Sequence, residues 1–181
     1  MTGLADQPPR RVCLIGAECT GKSTLARQLA AQTDGVVVPE VLRDWCVRFG
    51  RTPRSDEQAA LMQAQIHAEN QALALIDKGQ GAMLFCECGP LQTAVYSQFY
   101  FADNSLLAAA HLHQNRYAMT LWLQPDLPWV ADGLQRDGPV VQAAVHRLLG
   151  QQLAQHSPVV AVDGVGSARL QAAMFALHHE T

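Results

Sequence analysis

The chain has 181 residues, about half of them hydrophobic, which is enough for one domain with a single continuous core. Its formal net charge of −3 argues against a nucleic-acid partner, which would need a basic surface. No apolar run approaches the roughly 18 residues that span a bilayer, and the N-terminus lacks the apolar core of a secretory signal. We therefore expect a soluble cytoplasmic protein without a membrane partner.

Short apolar segments alternate with longer helical patterns along the chain. Residues 1–10, which include two prolines, are expected to form a flexible lead-in to a single domain at residues 11–181. The segments of strand length are Val12–Ile15, Val36–Val38, Met83–Cys86, Leu121–Leu123 and Val159–Val162. Continuous apolar runs of this length are typical of strands buried on both faces, as in a parallel sheet.

Helices are predicted between these strands. One covers Lys22–Thr33, and a longer one runs from about Ser55, its expected N-cap, to about Lys78, with Gly79 placed to end it. Alternating strands and helices indicate a three-layer α/β domain with a mainly parallel sheet. In such domains ligands bind at the carboxyl ends of the strands.

A phosphate-binding motif, G-x-x-x-x-G-K-[ST], follows the first predicted strand. We expect nine residues to bind the phosphates of ATP: Gly16, Ala17, Glu18, Cys19, Thr20, Gly21, Lys22, Ser23 and Thr24. The two motif glycines let the backbone turn so that successive N–H groups point at the phosphates, next to the positive end of the following helix. Lys22 is predicted to contact the β and γ phosphates, and Ser23 to bind Mg²⁺. ATPases, GTPases, kinases and switches share this motif, so it does not identify the second substrate.

Two glutamates follow predicted strands, where a phosphotransferase needs a carboxylate to hold Mg²⁺ or to accept the proton of the attacking hydroxyl. Glu87 comes directly after Met83–Cys86 and is the candidate for both roles. Glu40 follows Val36–Val38 through a proline, and its alternative role is to complement a helix dipole. Arg43 is expected either to clamp a phosphate or to pair with Glu40.

The segment after the fourth predicted strand is the candidate for a closing lid, at about residues 125–147. It contains Trp129, Asp132 and Arg136 among several prolines and glycines. Phosphoryl transfer benefits from a cation that a lid brings to the phosphates, and Arg136 is the catalytic candidate for it. A plain surface loop is the alternative.

Several of these motifs together resemble the ribosylnicotinamide kinase domain of NadR-type NAD-biosynthesis proteins. The resemblance extends from Arg11 to about Ala173, and its most specific part is the string P-D-L-P-W-V-A-D-G at residues 125–133. The other parts are the phosphate-binding loop, P-E-V-L-R at 39–43, F-C-E at 85–87 and L-Q-T at 91–93.

The resemblance implies a P-loop kinase fold with sheet order 2-3-1-4-5 and transfer of the ATP γ-phosphate to the 5′-hydroxyl of nicotinamide riboside. It further implies that Glu40 and Arg43 border the substrate pocket and that Glu87 lies near Mg²⁺ and the hydroxyl. Trp129 and Asp132 are implied to shape the nucleoside side and the lid. The Trp129 ring is expected either to stack on nicotinamide or to pack in the core. The adenylyltransferase and DNA-binding parts of longer NadR-type proteins are not expected within 181 residues.

The chain departs from the family pattern at two places. The family usually has Asp-Thr-Asp after the third strand, whereas this chain has Glu87, Cys88 and Gly89. In the lid, Gln135 occupies the usual arginine position and Arg136 is displaced by one residue. These departures leave two alternatives open: a kinase for another nucleoside or vitamin-like metabolite, and a nucleotide-binding sensor with little turnover. The sequence does not predict the oligomeric state.

Overall fold

The computed structural model describes residues 9–76, 83–130 and 138–179. Strands and helices alternate in this part of the chain. The strands are β1 (Arg10–Ile15), β2 (Val36–Val38), β3 (Met83–Glu87), β4 (Met119–Leu123) and β5 (Val159–Val162). The helices are α1 (Lys22–Thr33), α2 (Val41–Phe49), α3 (Gln58–Leu75), α4 (Pro90–Phe101), α5 (Leu107–Gln114), α6 (Pro139–Leu153) and α7 (Ser167–His178). Of the helices in these residues, none is long and apolar enough to cross a membrane.

The five strands form one sheet in the order β2-β3-β1-β4-β5, and every neighbouring pair is parallel. The predicted α/β fold and the sheet order 2-3-1-4-5 are therefore confirmed. Because β1 lies between β3 and β4, the loop after β1 is at the centre of the carboxyl edge. Leu14 of β1 is in register with Glu87 of β3, so the end of β3 lies directly beside that loop.

Two apolar clusters cover the two faces of the sheet. Cys13 and Ile15 of β1 pack in one cluster with residues of α3, α4 and α6. Val12 and Leu14 pack in the other cluster with residues of α1 and α7. Successive side chains of a strand point to opposite faces, so the continuous apolar run of β1 supplies both clusters. This arrangement gives the three layers expected from the sequence.

The long helix starts and ends differently from the sequence prediction. A 3₁₀ turn covers Ser55–Glu57, and α3 starts only at Gln58. Ser55 is therefore not the N-cap. Instead, the Glu57 carboxylate accepts the N–H of Arg54 at 2.8 Å and pairs with the Arg51 guanidinium at 2.7 Å. The helix ends at Leu75, and the predicted end at residues 78–79 lies outside the described residues.

Described elements overlap the predicted lead-in and the predicted lid. Strand β1 begins at Arg10, one residue before the expected start of the domain, and residues 1–8 of the predicted lead-in lie outside the described residues. Within the predicted lid, α6 begins at Pro139, so residues 139–147 are helical. Residues 131–137 of that segment also lie outside the described part of the chain.

Candidate active site

The phosphate-binding loop connects β1 to α1 and has a backbone that requires glycine at both ends. A Cβ on Gly16 would lie 2.8 Å from the Thr20 hydroxyl oxygen and 2.9 Å from the Leu123 carbonyl oxygen. Gly21 has φ of 80°, in the left-handed region that other residues rarely adopt. Both glycines of the motif therefore have the steric role expected from the sequence.

Internal hydrogen bonds hold the loop around the Lys22 side chain. The Lys22 Nζ donates to the carbonyl oxygens of Gly16 and Ala17, each at 2.9 Å, and only 8% of this residue is exposed. The Thr20 hydroxyl is fully buried and donates to the Ala17 carbonyl at 2.8 Å. A buried cation surrounded by a glycine-containing loop at a helix N-terminus is suited to bind phosphate groups.

Ser23 and Glu87 meet beside this loop, although they are 64 positions apart in sequence. The Ser23 hydroxyl donates to Oε1 of Glu87, which is 4% exposed. Mg²⁺ prefers hard oxygen ligands and is commonly bound by one or two protein oxygens together with phosphate oxygens. These two side chains fit such a site. Among the described residues, no cluster of three or more His, Cys, Asp or Glu side chains is arranged to hold a metal ion.

Glu40 is the second acid at this edge and faces the loop from β2. It occupies the N-cap position of α2, but its side chain makes no capping hydrogen bond. Burial of the carboxyl is the main reason that its pKa is raised, and the Glu87 carboxylate raises it further. The cations of Lys22 and Arg43 act in the opposite direction. The predicted acids and cations are thus close enough to affect one another electrostatically.

A buried glutamine, which sequence reasoning missed, connects the segments that carry the two acids. Gln65 of α3 is 2% exposed; its Oε1 accepts the N–H of Val41 at 3.0 Å, next to Glu40. Its Nε2 donates to the carbonyl oxygen of Glu87 at 3.4 Å. One side chain therefore fixes the backbone at both acids. A lone glutamine in a helical pattern gives no signal of such a role.

A cavity of about 740 Å³ extends from the phosphate-binding loop past both acids. Its lining contains Glu18 through Thr24 of the loop, together with Glu40, Arg43 and Glu87. Three aromatic residues of α4 also line it: Tyr96, Tyr100 and Phe101. This volume is in the range of small-molecule sites. The aromatic residues were not predicted from the sequence, although Tyr100 and Phe101 follow Tyr96 by four and five positions in the helix after the Glu87 strand, which was a usable signal.

Trp129 lies on the other flank of the loop. Its indole Nε1 donates to Oε1 of Glu18 at 3.2 Å, and within the described residues the cavity lining does not include it. The structure therefore does not bring Trp129 together with Glu40 and Arg43. Asp132 and Arg136, the other predicted residues of this segment, lie outside the described residues.

The NadR-type pattern has an aspartate where this chain has Gly89, and its absence here has a steric explanation. A Cβ at this position would lie 2.4 Å from the Tyr117 hydroxyl oxygen and 3.2 Å from the Cys13 sulfur. Tyr117 is held in place because its hydroxyl donates to Oε1 of the fully buried Glu69 at 2.8 Å. With Tyr117 in this position, the structure has no room for an aspartate at residue 89.

Solved structures with the same fold include several kinases. A NadR protein in complex with NR superposes with a TM-score of 0.81 at 24% identity, over 94% of this chain and 51% of that one. The Candida albicans thymidylate kinase gives a TM-score of 0.69 at 14% identity, over 94% and 91% of the two chains. The M. mycoides deoxyadenosine kinase with bound dATP gives 0.65 at 11%, over 94% and 100%. The resemblance found in the sequence is thus confirmed in the fold.

This chain spans about half the length of the NadR chains that it matches. No curated protein matches it significantly. A family model described as AAA domain matches residues 11–169, which include the phosphate-binding loop and both candidate acids. The chain therefore belongs to the AAA domain family of P-loop proteins.

Proposed function

We propose that this chain is an ATP-dependent kinase that phosphorylates the 5′-hydroxyl of nicotinamide riboside and yields nicotinamide mononucleotide. The observation that carries the proposal is the single cavity that joins the phosphate-binding loop to the two acids and the aromatic residues of α4. One end suits the phosphates of ATP, and the other suits a hydroxylated acceptor with a flat ring. The fold shared with a NadR protein in complex with NR supports this choice of acceptor.

The reaction needs three groups at the phosphate end. The acceptor hydroxyl oxygen forms a bond to the γ-phosphorus as the bond to the β–γ bridging oxygen breaks, and ADP leaves. Lys22 is assigned to bind the β and γ phosphates, after its ammonium leaves the carbonyls of Gly16 and Ala17. Ser23 and Glu87 are assigned to hold Mg²⁺, which when bound neutralises phosphate charge.

Glu40 is assigned as the base that accepts the proton of the acceptor hydroxyl. It lines the same cavity as Lys22 and Glu87, and Glu87 already accepts a hydrogen bond from Ser23. Because burial raises the pKa of Glu40, its carboxylate is a stronger base than that of an exposed glutamate. Arg43 lines the same cavity and is assigned to position the acceptor. Arg136 remains a prediction for the lid.

The aromatic residues of α4 are assigned to contact the ring of the acceptor. Tyr100 and Phe101 are 45% and 38% exposed and line the cavity, so their rings are accessible to a ligand. A cationic pyridinium ring gains from aromatic faces and from the nearby carboxylate of Glu40. The same wall would also accept a neutral base, and the fold shared with deoxyadenosine kinase makes other nucleosides the second candidate class.

The test is ADP production by the purified chain with ATP, Mg²⁺ and a panel of nucleosides. We expect turnover that depends on nicotinamide riboside, with nicotinamide mononucleotide identified by mass spectrometry. Lys22→Ala should abolish it, whereas Arg116→Gln, at an exposed position after α5, should leave it unchanged. The proposal would be refuted if no nucleoside of the panel increased the rate of ADP release above the rate with ATP and Mg²⁺ alone. If only a nucleoside other than nicotinamide riboside increased that rate, this nucleoside would be the acceptor instead.

A further inference from the structure

The segment at residues 124–130, here called the brace, follows β4 and contains most of the string that carries the family resemblance. Its Asp126 is paired with the guanidinium of Arg169, which lies on α7. The other carboxylate oxygen of Asp126 accepts the N–H of Gly164 at 2.6 Å. The roles assigned so far in phosphoryl transfer do not use this ion pair.

Arg169 connects three loops at the carboxyl edge of the sheet. Its Nε donates to the Gly164 carbonyl at 2.7 Å in the loop after β5, and its Nη2 donates to the Gln124 carbonyl at 3.2 Å after β4. Its Nη1 donates to the carbonyl oxygen of Thr20 within the phosphate-binding loop. Only 4% of Arg169 is exposed, and the planar guanidinium fork supplies several donors in fixed directions.

The far end of the brace contacts the same loop. The Trp129 indole donates to the Glu18 carboxylate at 3.2 Å, and the N–H of Val130 donates to the Cys19 sulfur at 3.2 Å. The brace therefore lies along the outer side of the loop, from Thr20 through Arg169 to Cys19 and Glu18. Among the described residues, neither Asp126 nor Arg169 lines the cavity, so neither is placed to touch a ligand there.

We propose that Arg169 and Asp126 are positioning residues that hold the phosphate-binding loop in its ligand-binding conformation and thereby set the affinity for ATP. Phosphate binding needs loop N–H groups directed inward, which requires carbonyls such as that of Thr20 to be held outward. A buried cation fixed by its own carboxylate stabilises that orientation before the nucleotide arrives. The inference rests only on the ATP-binding part of the proposed function and not on the identity of the acceptor.

The test measures nucleotide binding directly, by titrating the full chain with a non-hydrolysable ATP analogue and Mg²⁺ in a calorimeter. We expect Arg169→Gln to raise the Kd at least tenfold, Arg169→Lys to raise it less, and Asp126→Asn to raise it at least threefold. With an active acceptor, the KM for ATP should rise in parallel, while the acceptor KM and the kcat at saturating ATP stay within twofold. Arg116→Gln, at an exposed position after α5, serves as the matched arginine control.

The variant Leu153→Ala distinguishes a general loss of stability from a specific loss of nucleotide affinity, because it removes a core side chain of α6 that is 2% exposed. This variant should lower the Tm without changing the Kd. If Arg169→Gln does not fold, Arg169→Lys and Asp126→Asn decide the question. An unchanged Kd in the folded variants, or a Kd that rises equally in Leu153→Ala, would overturn the inference. If the wild-type chain binds nucleotide tightly but phosphorylates no nucleoside, only the proposed function fails.

Discussion

Substituting alanine for Gly89 tests whether the packing of Tyr117 excludes the aspartate that NadR-type proteins usually have at this position. The new Cβ would lie 2.4 Å from the Tyr117 hydroxyl oxygen, whereas ordinary van der Waals contacts start at 3.4 Å, so the hydroxyl must move by about 1 Å. That hydroxyl donates to Glu69 at 2.8 Å inside the core. A displacement of this size takes the pair beyond the range of a good hydrogen bond.

The expected cost follows from these two effects. Overpacking in a dense core destabilises by about 1–3 kcal/mol, and leaving a buried carboxylate short of a partner costs about 1–3 kcal/mol more. We therefore expect Gly89→Ala to lower the free energy of unfolding by about 2–6 kcal/mol, out of a typical total of about 5–15 kcal/mol. For a domain of this size the Tm should fall by roughly 5–20 °C.

Thermal and urea unfolding of four proteins measure this effect: wild type, Gly89→Ala, Tyr117→Phe and the double variant. Removing the Tyr117 hydroxyl relieves the shortest contact, so Gly89→Ala should cost less in the phenylalanine background, with a coupling energy of about 1 kcal/mol or more. The reasoning is refuted if Gly89→Ala unfolds within 2 °C of wild type (roughly 1 kcal/mol or less). If Gly89→Ala lowered the free energy of unfolding equally with tyrosine and with phenylalanine at position 117, Tyr117 would likewise not be what excludes the side chain.

Three further predictions concern the candidate active site. Because burial raises the pKa of Glu40, activity should begin to fall with decreasing pH above the value of about 4.3 of a free glutamate. Glu40→Gln should remove most of the rate together with this acid limb of the pH profile. A carboxyl whose pKa is raised in the folded state destabilises that state when it ionises. The Tm of Glu40→Gln should therefore equal that of wild type below the pKa of a free glutamate and should increasingly exceed it as the pH rises from the free to the raised pKa. Ser23→Ala and Glu87→Gln should each raise the Mg²⁺ concentration for half-maximal ADP production by roughly tenfold or more, and an unchanged Mg²⁺ response would contradict the assigned site. Tyr100→Leu should raise the acceptor KM about fivefold, equivalent to about 1 kcal/mol, with the KM for ATP unchanged; a rise in the ATP value instead would move the acceptor ring away from α4.

The sheet and the phosphate-binding loop were predictable because local patterns encode them. Strands β2 and β5 have the bounds that their apolar runs predict, although as the edge strands of the sheet they are only partly buried. The start of α3 was predicted less well. Ser55 is a common capping residue, but the ion pair of Glu57 with Arg51 stabilises a 3₁₀ turn there, and that pairing depends on a preceding loop without periodicity.

The parts of the site that escaped prediction depend on contacts between distant positions. Arg169 and Thr20 are 149 positions apart, and Gln65 contacts the backbone of both acid-bearing segments. Composition and spacing carry no information about such pairs. The sequence did single out Trp129 as part of a specific motif, but the motif alone could not distinguish a contact with the acceptor from a contact with the outer side of the loop.

The sheet order explains why these roles separate across the molecule. Glu40 follows β2 and Glu87 ends β3, whereas Asp126 follows β4 and Gly164 follows β5, with the phosphate-binding loop after β1 between the two pairs. All of these strands are parallel, so their carboxyl ends form one row in which the acids lie on one side of the loop and the brace on the other. Substitutions of Glu40 or Arg43 after β2 should therefore change the acceptor KM and kcat, and substitutions on the β4–β5 side should change the affinity for ATP. A variant of the brace that altered the acceptor KM alone would contradict this division.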